Sequence, residues 1–206
     1  MHPNPAFRDT DSAEILAFAR GRGFGVLTAA GPDGPLASHV PFVLSEDGAR
    51  VGFHLVRSNP LVRVLADGAP ALLAVGGPDA YISPDWYEIG HDQVPTWNYL
   101  AAHLRGTARI LPAQALRDHL RAASAEFERR LAPKKPWTID KMEPEQLARM
   151  ERMIVPAELE ITEVAGTWKL NQNKPAEARL RAAAALEQSP VVSPDGRSLA
   201  QLMREI

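Results

Sequence analysis

Over the first half of the chain, apolar and polar residues alternate in short runs separated by turn-forming residues, the pattern of strands with one buried face. FGVLTA (24–29), LASHVPFVL (36–44) and ARVGFHLV (49–56) are such runs, divided by Gly-Pro-Asp-Gly and SEDG. They predict an antiparallel meander. A short helix precedes it, because Asp11 and Glu14 have capping-box spacing and Ile15, Leu16, Phe18 and Ala19 form an apolar face. After the third strand the period changes. Asn59 can cap a helix that begins at Pro60, with Leu61, Val64 and Leu65 inward and Gly68 beyond its end. PALLAVGG (70–77) then resumes the strands, and WNYLAAHLRGTARIL (97–111) predicts a long strand bent near Gly106.

From Pro112 the period is helical, with Leu116, Leu120, Ala123, Phe127 and Leu131 along one stripe. A second helix is predicted at 144–154, with Leu147, Met150 and Ile154 inward. AELEITEVAGTWKL (157–170) alternates again and rejoins the sheet, Asn173-Lys174-Pro175 starts an Ala-rich helix, and LAQLMREI adds a last one. No βαβ alternation is present, so the expected class is α+β around a barrel or strongly bent sheet. The expected organisation is one domain over 1–188, with helices inserted at about 112–154, and a helical tail over 189–206.

Composition narrows the function. The 206 residues are 45% hydrophobic, enough for a globular core, and 23 basic against 25 acidic residues leave a formal charge of −2. That balance gives no general electrostatic footprint for nucleic acid or an anionic membrane. Cysteine is absent, which excludes disulfides, thiolate nucleophiles and cysteine-ligated metals. No run approaches the ~18 continuous apolar residues of a membrane span. The N-terminal MHPNPAFRDTDSAEI lacks a charged region followed by an apolar run, so a cytoplasmic protein without membrane contact is expected.

YISPDWYEIGHDQVPTWNY (81–99) holds all three tyrosines and two of the four tryptophans, interrupted by Pro84, Gly90 and Pro95. It reads as a loop between two strands. Rings with polar edges on a proline-stiffened loop suit a flat ligand or a partner chain, and equally a loop folded over the core. If SEDG is a four-residue loop, Leu44 faces Ala49 and His39 faces His54, both on the face of Ala37, Gly52 and Val56. That face could bind something polar, or the two histidines could be satisfied at a barrel rim. Arg57-Ser58-Asn59-Pro60 leaves a strand and enters a helix within four residues, gathering N–H groups beside a guanidinium. Simple capping by Asn59 explains it as well. Lys169, Asn171, Gln172 and Asn173 form a second polar group beside a helix start.

Other chemistries lack their motifs. The six histidines show no HExxH and no closely spaced pair, so no metal site is expected. There is no G-x-S-x-G elbow, and Ser38 and His39 point to opposite faces of one strand. GxGxxG and the Walker phosphate loop are also missing. No catalytic residue is assigned.

SHVPF (38–42), HLVRSNP (54–60), AYISPDWY (80–87), VPTWNYLAAHLRG (94–106) and KLNQNKP (169–175) together resemble the PaiB family of FMN-binding negative transcriptional regulators, in order and in spacing. The resemblance runs from about residue 1 to about residue 185. Asn171 stands where many members are expected to have serine, and the tail after Ser189 looks individual. The family implies an FMN-binding split β-barrel, similar to pyridoxamine-phosphate oxidases, with peripheral helices. It also implies a homodimer holding FMN near the subunit interface. Tyr81 and Trp97 would then supply stacking or interface area, and Ser38, His39, His54, Arg57 and Asn59 would meet the cofactor's polar parts. Asn98, Lys169 and Gln172 complete the cofactor-binding set that the resemblance implies. DNA contact is implied by the resemblance alone, since no helix-turn-helix is visible. Two alternatives are a flavin-dependent oxidoreductase of small substrates and a haem-binding split-barrel protein with a histidine ligand.

Overall fold

The computed structural model describes residues 1–190 and 192–206. Six strands are joined in the closed order β1-β2-β3-β6-β5-β4: β1 (Phe24–Gly31), β2 (Gly34–Leu44), β3 (Arg50–Val56), β4 (Ala69–Ile82), β5 (Thr96–Ile110) and β6 (Ile154–Lys169). The helices are α1 (Ser12–Arg22), α2 (Leu61–Val64), α3 (Ala115–Arg129), α4 (Pro144–Glu151), α5 (Ala176–Gln188) and α6 (Pro194–Glu205). The chain forms two compact units. One comprises Leu16–Val75 and His103–Val164; the other comprises Met1–Ile15, Gly76–Ala102 and Ala165–Ile206. Among the described residues, no helix is long and apolar enough to cross a membrane.

In the first unit, every second residue of the strands points into the barrel. Leu27, Val40, Phe42, Val51, Phe53, Leu55, Leu73, Leu104 and Leu159 are almost completely buried. Each such side chain stabilises the fold by roughly 1.5–3 kcal/mol relative to exposure. The bend expected in β5 falls where only glycine fits, because a Cβ on Gly106 would lie 1.7 Å from the carbonyl oxygen of Glu160. Asp11 caps α1 through a 2.8 Å bond from the Glu14 amide. At the other end of that helix the Arg130 guanidinium donates to the carbonyls of Gly21 (2.8 Å) and Arg20 (2.7 Å), supplying partners and positive charge where the helix leaves both wanting.

The hairpin register differs from the expected one by two residues. Leu44 pairs with Val51, Val43 with Gly52 and Phe42 with Phe53. The turn closes one residue later than SEDG because Ser45 and Arg50 bond through their backbones at 2.8 Å, while Asp47 Oδ1 accepts from Ser45 Oγ (2.6 Å) and the Ala49 amide (3.0 Å). An even shift keeps both histidines on the outer face but sets His54 beside Pro41 rather than His39. Two further expectations change. α3 ends at Arg129, so Leu131 lies beyond it and is exposed; Met150 of α4 is exposed as well.

In the second unit, α5 packs on α6, which covers the whole tail after Ser193. Ala178, Ala182, Ala183 and Leu186 of α5 and Leu199, Ala200 and Met203 of α6 are buried. The aromatic stretch is shorter as a loop than its composition implies. Tyr81 and Ile82 finish β4, Pro84–Tyr87 form a 3₁₀ turn capped by Ser83, and Thr96 already begins β5.

Candidate functional site

Five of the residues expected to bind a cofactor lie in the first unit. Ser38 and Asn59 are joined, with Asn59 Nδ2 donating to Ser38 Oγ at 3.1 Å. Asn59 Oδ1 accepts from the Leu61 amide at 3.0 Å, so one side chain both caps α2 and reaches across to β2. The Arg57 guanidinium donates to the carbonyls of Arg152 (2.9 Å) and Ile154 (3.2 Å). Those acceptors are neutral, and Arg57 has no carboxylate partner among the described residues. Its charge is held in place but not cancelled. Ser58 is exposed, and neither its amide nor its hydroxyl has a partner among the described residues.

His39 and His54 are not brought together. His39 is exposed and stacks on Phe24 with ring centroids 6.0 Å apart. His54 instead meets His119 of α3, with Nδ1 and Nε2 separated by 3.0 Å. Gly52 makes room for this contact: a Cβ there would come within 3.3 Å of the His119 ring. Burial holds the His54 imidazole below its ordinary pKa, and burial together with the His54 charge pushes His119 down to about 4. Both rings are therefore neutral near pH 7, one donating to the other. His119 was not singled out from the sequence. It lies one residue before Leu120 on the inward arc of α3, which is the available clue.

The other five lie in the second unit. Tyr81 and Trp97 are 47% and 55% exposed, and their rings meet edge to face at 6.3 Å. With Trp86, Leu186 and Val192 they line a groove of about 400 Å³. Asn98, the next residue, is fully buried; its Nδ2 reaches Met203 Sδ at 3.5 Å and its Oδ1 has no partner among the described residues. Lys169 Nζ donates to Thr96 Oγ1 and lies over the Phe7 ring, and burial lowers its pKa. Gln172 folds back on its own chain, accepting from the Leu170 amide at 2.8 Å and donating to the Trp168 carbonyl. Gln172 thus shapes the turn after β6. Two groups escaped the sequence reading. Tyr87 is fully buried, and its hydroxyl donates to Asn171 Oδ1 at 3.4 Å, while Asn171 itself adopts a left-handed backbone with φ of 65°. His103 carries a buried Nδ1 without a partner among the described residues, and burial lowers its pKa.

A closed six-stranded antiparallel barrel with helices inserted between its last strands defines a split-barrel protein. Residues 1–163 match the family model described as "Putative FMN-binding domain", and the chain belongs to that family. The "Protease synthase and sporulation protein PAI 2" of Bacillus subtilis (strain 168) is 28% identical over 201 residues, which are 97% of this chain and 94% of that protein. This agrees with the PaiB resemblance. Among solved structures, the FAD and heme binding protein from Mycobacterium smegmatis is 20% identical and superposes with a TM-score of 0.58, covering 94% of this chain and 97% of that one. The flavocytochrome Anf3 from Azotobacter vinelandii is 16% identical with a TM-score of 0.60, over 82% and 72% of the two chains. These two likenesses establish the split-barrel fold. Family membership supports FMN as the cofactor.

The donors present suit that molecule. A phosphate monoester needs fixed positive charge and N–H or O–H donors; Arg57, whose charge no described carboxylate cancels although two of its N–H groups serve the Arg152 and Ile154 carbonyls, and Ser58, whose amide and hydroxyl have no partner among the described residues, would offer both. A ribityl chain needs small hydroxyl and amide partners, which the Ser38–Asn59 pair provides.

Proposed function

We propose that this chain is an FMN-binding protein of the PaiB type, acting as a homodimer in which the flavin sits near the subunit interface and its occupancy or redox state governs a regulatory output. The observation carrying this reading is the uncancelled guanidinium of Arg57 beside the open donors of Ser58, in a chain whose family is described as FMN-binding. Arg57 and Ser58 would hold the phosphate, and Ser38 and Asn59 the ribityl hydroxyls. The exposed rings of Tyr81 and Trp97 would supply apolar area for a second copy, since neighbouring exposed aromatics mark interaction surfaces. When bound, FMN supplies reversible one- and two-electron chemistry. The chain's own part is to bind it and keep it oriented. Regulation through a partner or a metabolite fits the formal charge of −2 better than direct DNA readout.

FMN and riboflavin titrations of the purified chain test this reading. Arg57→Ala should weaken FMN at least tenfold more than riboflavin, because one phosphate-directed charge is removed. Equal losses for both ligands would remove Arg57 from the phosphate role, and failure of FMN to bind at all would end the proposal. Sedimentation of Trp97→Glu tests the interface, with a shift toward monomer expected. A strong Soret band in the protein as isolated would favour the haem alternative instead.

A further inference from the structure

The segment between β5 and β6 borders a pocket of about 540 Å³ that the flavin reading does not use. One wall is a stripe of α3, where Arg121, Ser124, Ala125 and Glu128 follow the i, i+3, i+4, i+7 spacing of a single helix face. The middle of that stripe is small. Across from it stand Trp137, Thr138 and Ile139, with Pro133 and Pro136 closing the sides. Trp137 is fixed to the helix by its backbone amide, which donates to Glu128 Oε2 at 2.8 Å, yet its side chain remains 37% exposed.

The charges around this pocket are already paired. Lys134 binds Glu128, Arg121 lies 3.6 Å from Asp140, and Arg129 reaches Glu126 at 3.0 Å. An ionic ligand would lose hydration here and gain no uncompensated counter-charge. The hydroxyls of Ser124 and Thr138, in contrast, have no hydrogen-bond partner among the described residues. A largely apolar lining, a few open polar groups and a volume within the ~300–1,000 Å³ typical of small-molecule sites describe a built pocket. Its exposed indole favours a flat π-system over an aliphatic body.

We propose that this pocket binds a small uncharged aromatic molecule bearing a hydrogen-bonding group, separately from the flavin. Such a site suits an effector in a regulator, although the inference does not depend on FMN binding. The ligand class is set by the paired charges, the open hydroxyls and the Trp137 wall.

The test is calorimetry on the full chain with 4-hydroxybenzamide as probe and 4-hydroxybenzoate as its charged counterpart. The amide should bind, with the carboxylate weaker by about tenfold or more. Ala125→Phe fills the middle of the stripe and should weaken the amide by about tenfold while leaving the FMN titration unchanged. Trp137→Phe should retain calorimetric binding but abolish the ligand-linked change in tryptophan emission, a readout that still decides should Ala125→Phe not fold. The proposal is overturned by absence of amide binding up to its solubility limit or by equal or tighter binding of the carboxylate. Undiminished binding in folded Ala125→Phe, or an emission change that persists in Trp137→Phe, overturns it as well.

Discussion

α3 and α5 both carry runs of small residues, but the two helices use them oppositely. In α5, Ala178, Ala182 and Ala183 are completely buried and allow α6 to approach until Leu199, Ala200 and Met203 lose all contact with water. In α3, only Leu116 is buried among its 15 residues, and Ser124 and Ala125 face a loop whose rings and prolines stop short of filling the space. A small side chain is thus no message by itself. It brings a partner close when that partner is another helix with its own small residues, and leaves a cavity when the facing segment is stiffened by proline.

The contrast can be broken most severely on the α5–α6 side. Leu199→Ala should cost about 2–5 kcal/mol, since a fully buried leucine is replaced by a cavity, and urea titration would measure it. Ala183→Leu forces extra volume into the same contact and should cost about 1–3 kcal/mol by the same measurement. On the α3 side the largest effect comes from His119. Its folded pKa of about 4 lies below the ordinary 6.5, so the folded state favours the neutral ring. The resulting stability is fully present above about pH 6.5 and is lost as pH falls toward about 4. Allowing for solvent contact, the loss is on the order of 1 kcal/mol. Thermal unfolding of His119→Gln should lose that part of the pH slope. The smallest change is expected of Ala125→Leu, within about 0.5 kcal/mol of the parent, because the pocket accepts the added carbons. A cost as large as that of Ala183→Leu would erase the distinction between the helices.

The strands were legible because their alternation and turn residues agree with one another, and Gly106 was recognisable as a bend because no other feature explains a glycine inside a long strand. The hairpin register was not. The two competing turns differ in whether Ser45 or Ala49 belongs to the loop, and the side chain of Asp47 decides it. Nor could composition say which rings of 81–99 face inward, since the 3₁₀ turn at Pro84–Tyr87 interrupts the alternation and sends Tyr87 into the core while Trp97 stays outside. Of the expected cofactor residues, Ser38 and Asn59 meet as direct partners, whereas the approach of His119 to His54 depends on how α3 lies across β3, which no local pattern specifies.

Tyr87 is fastened on three sides: Arg181 donates to its carbonyl at 2.8 Å, Asn171 accepts from its hydroxyl, and the Lys174 ammonium lies 5.0 Å from its ring centroid. A tether pinned at its midpoint behaves as two short ones, and residues 88–95 are left as the connecting segment. Ordering a backbone residue costs about 1–2 kcal/mol of conformational entropy, and from Ser83 to Tyr87 that cost is met on folding. Whatever settles against Tyr81 and Trp97 therefore meets rings already set on strand ends, with little chain left to still.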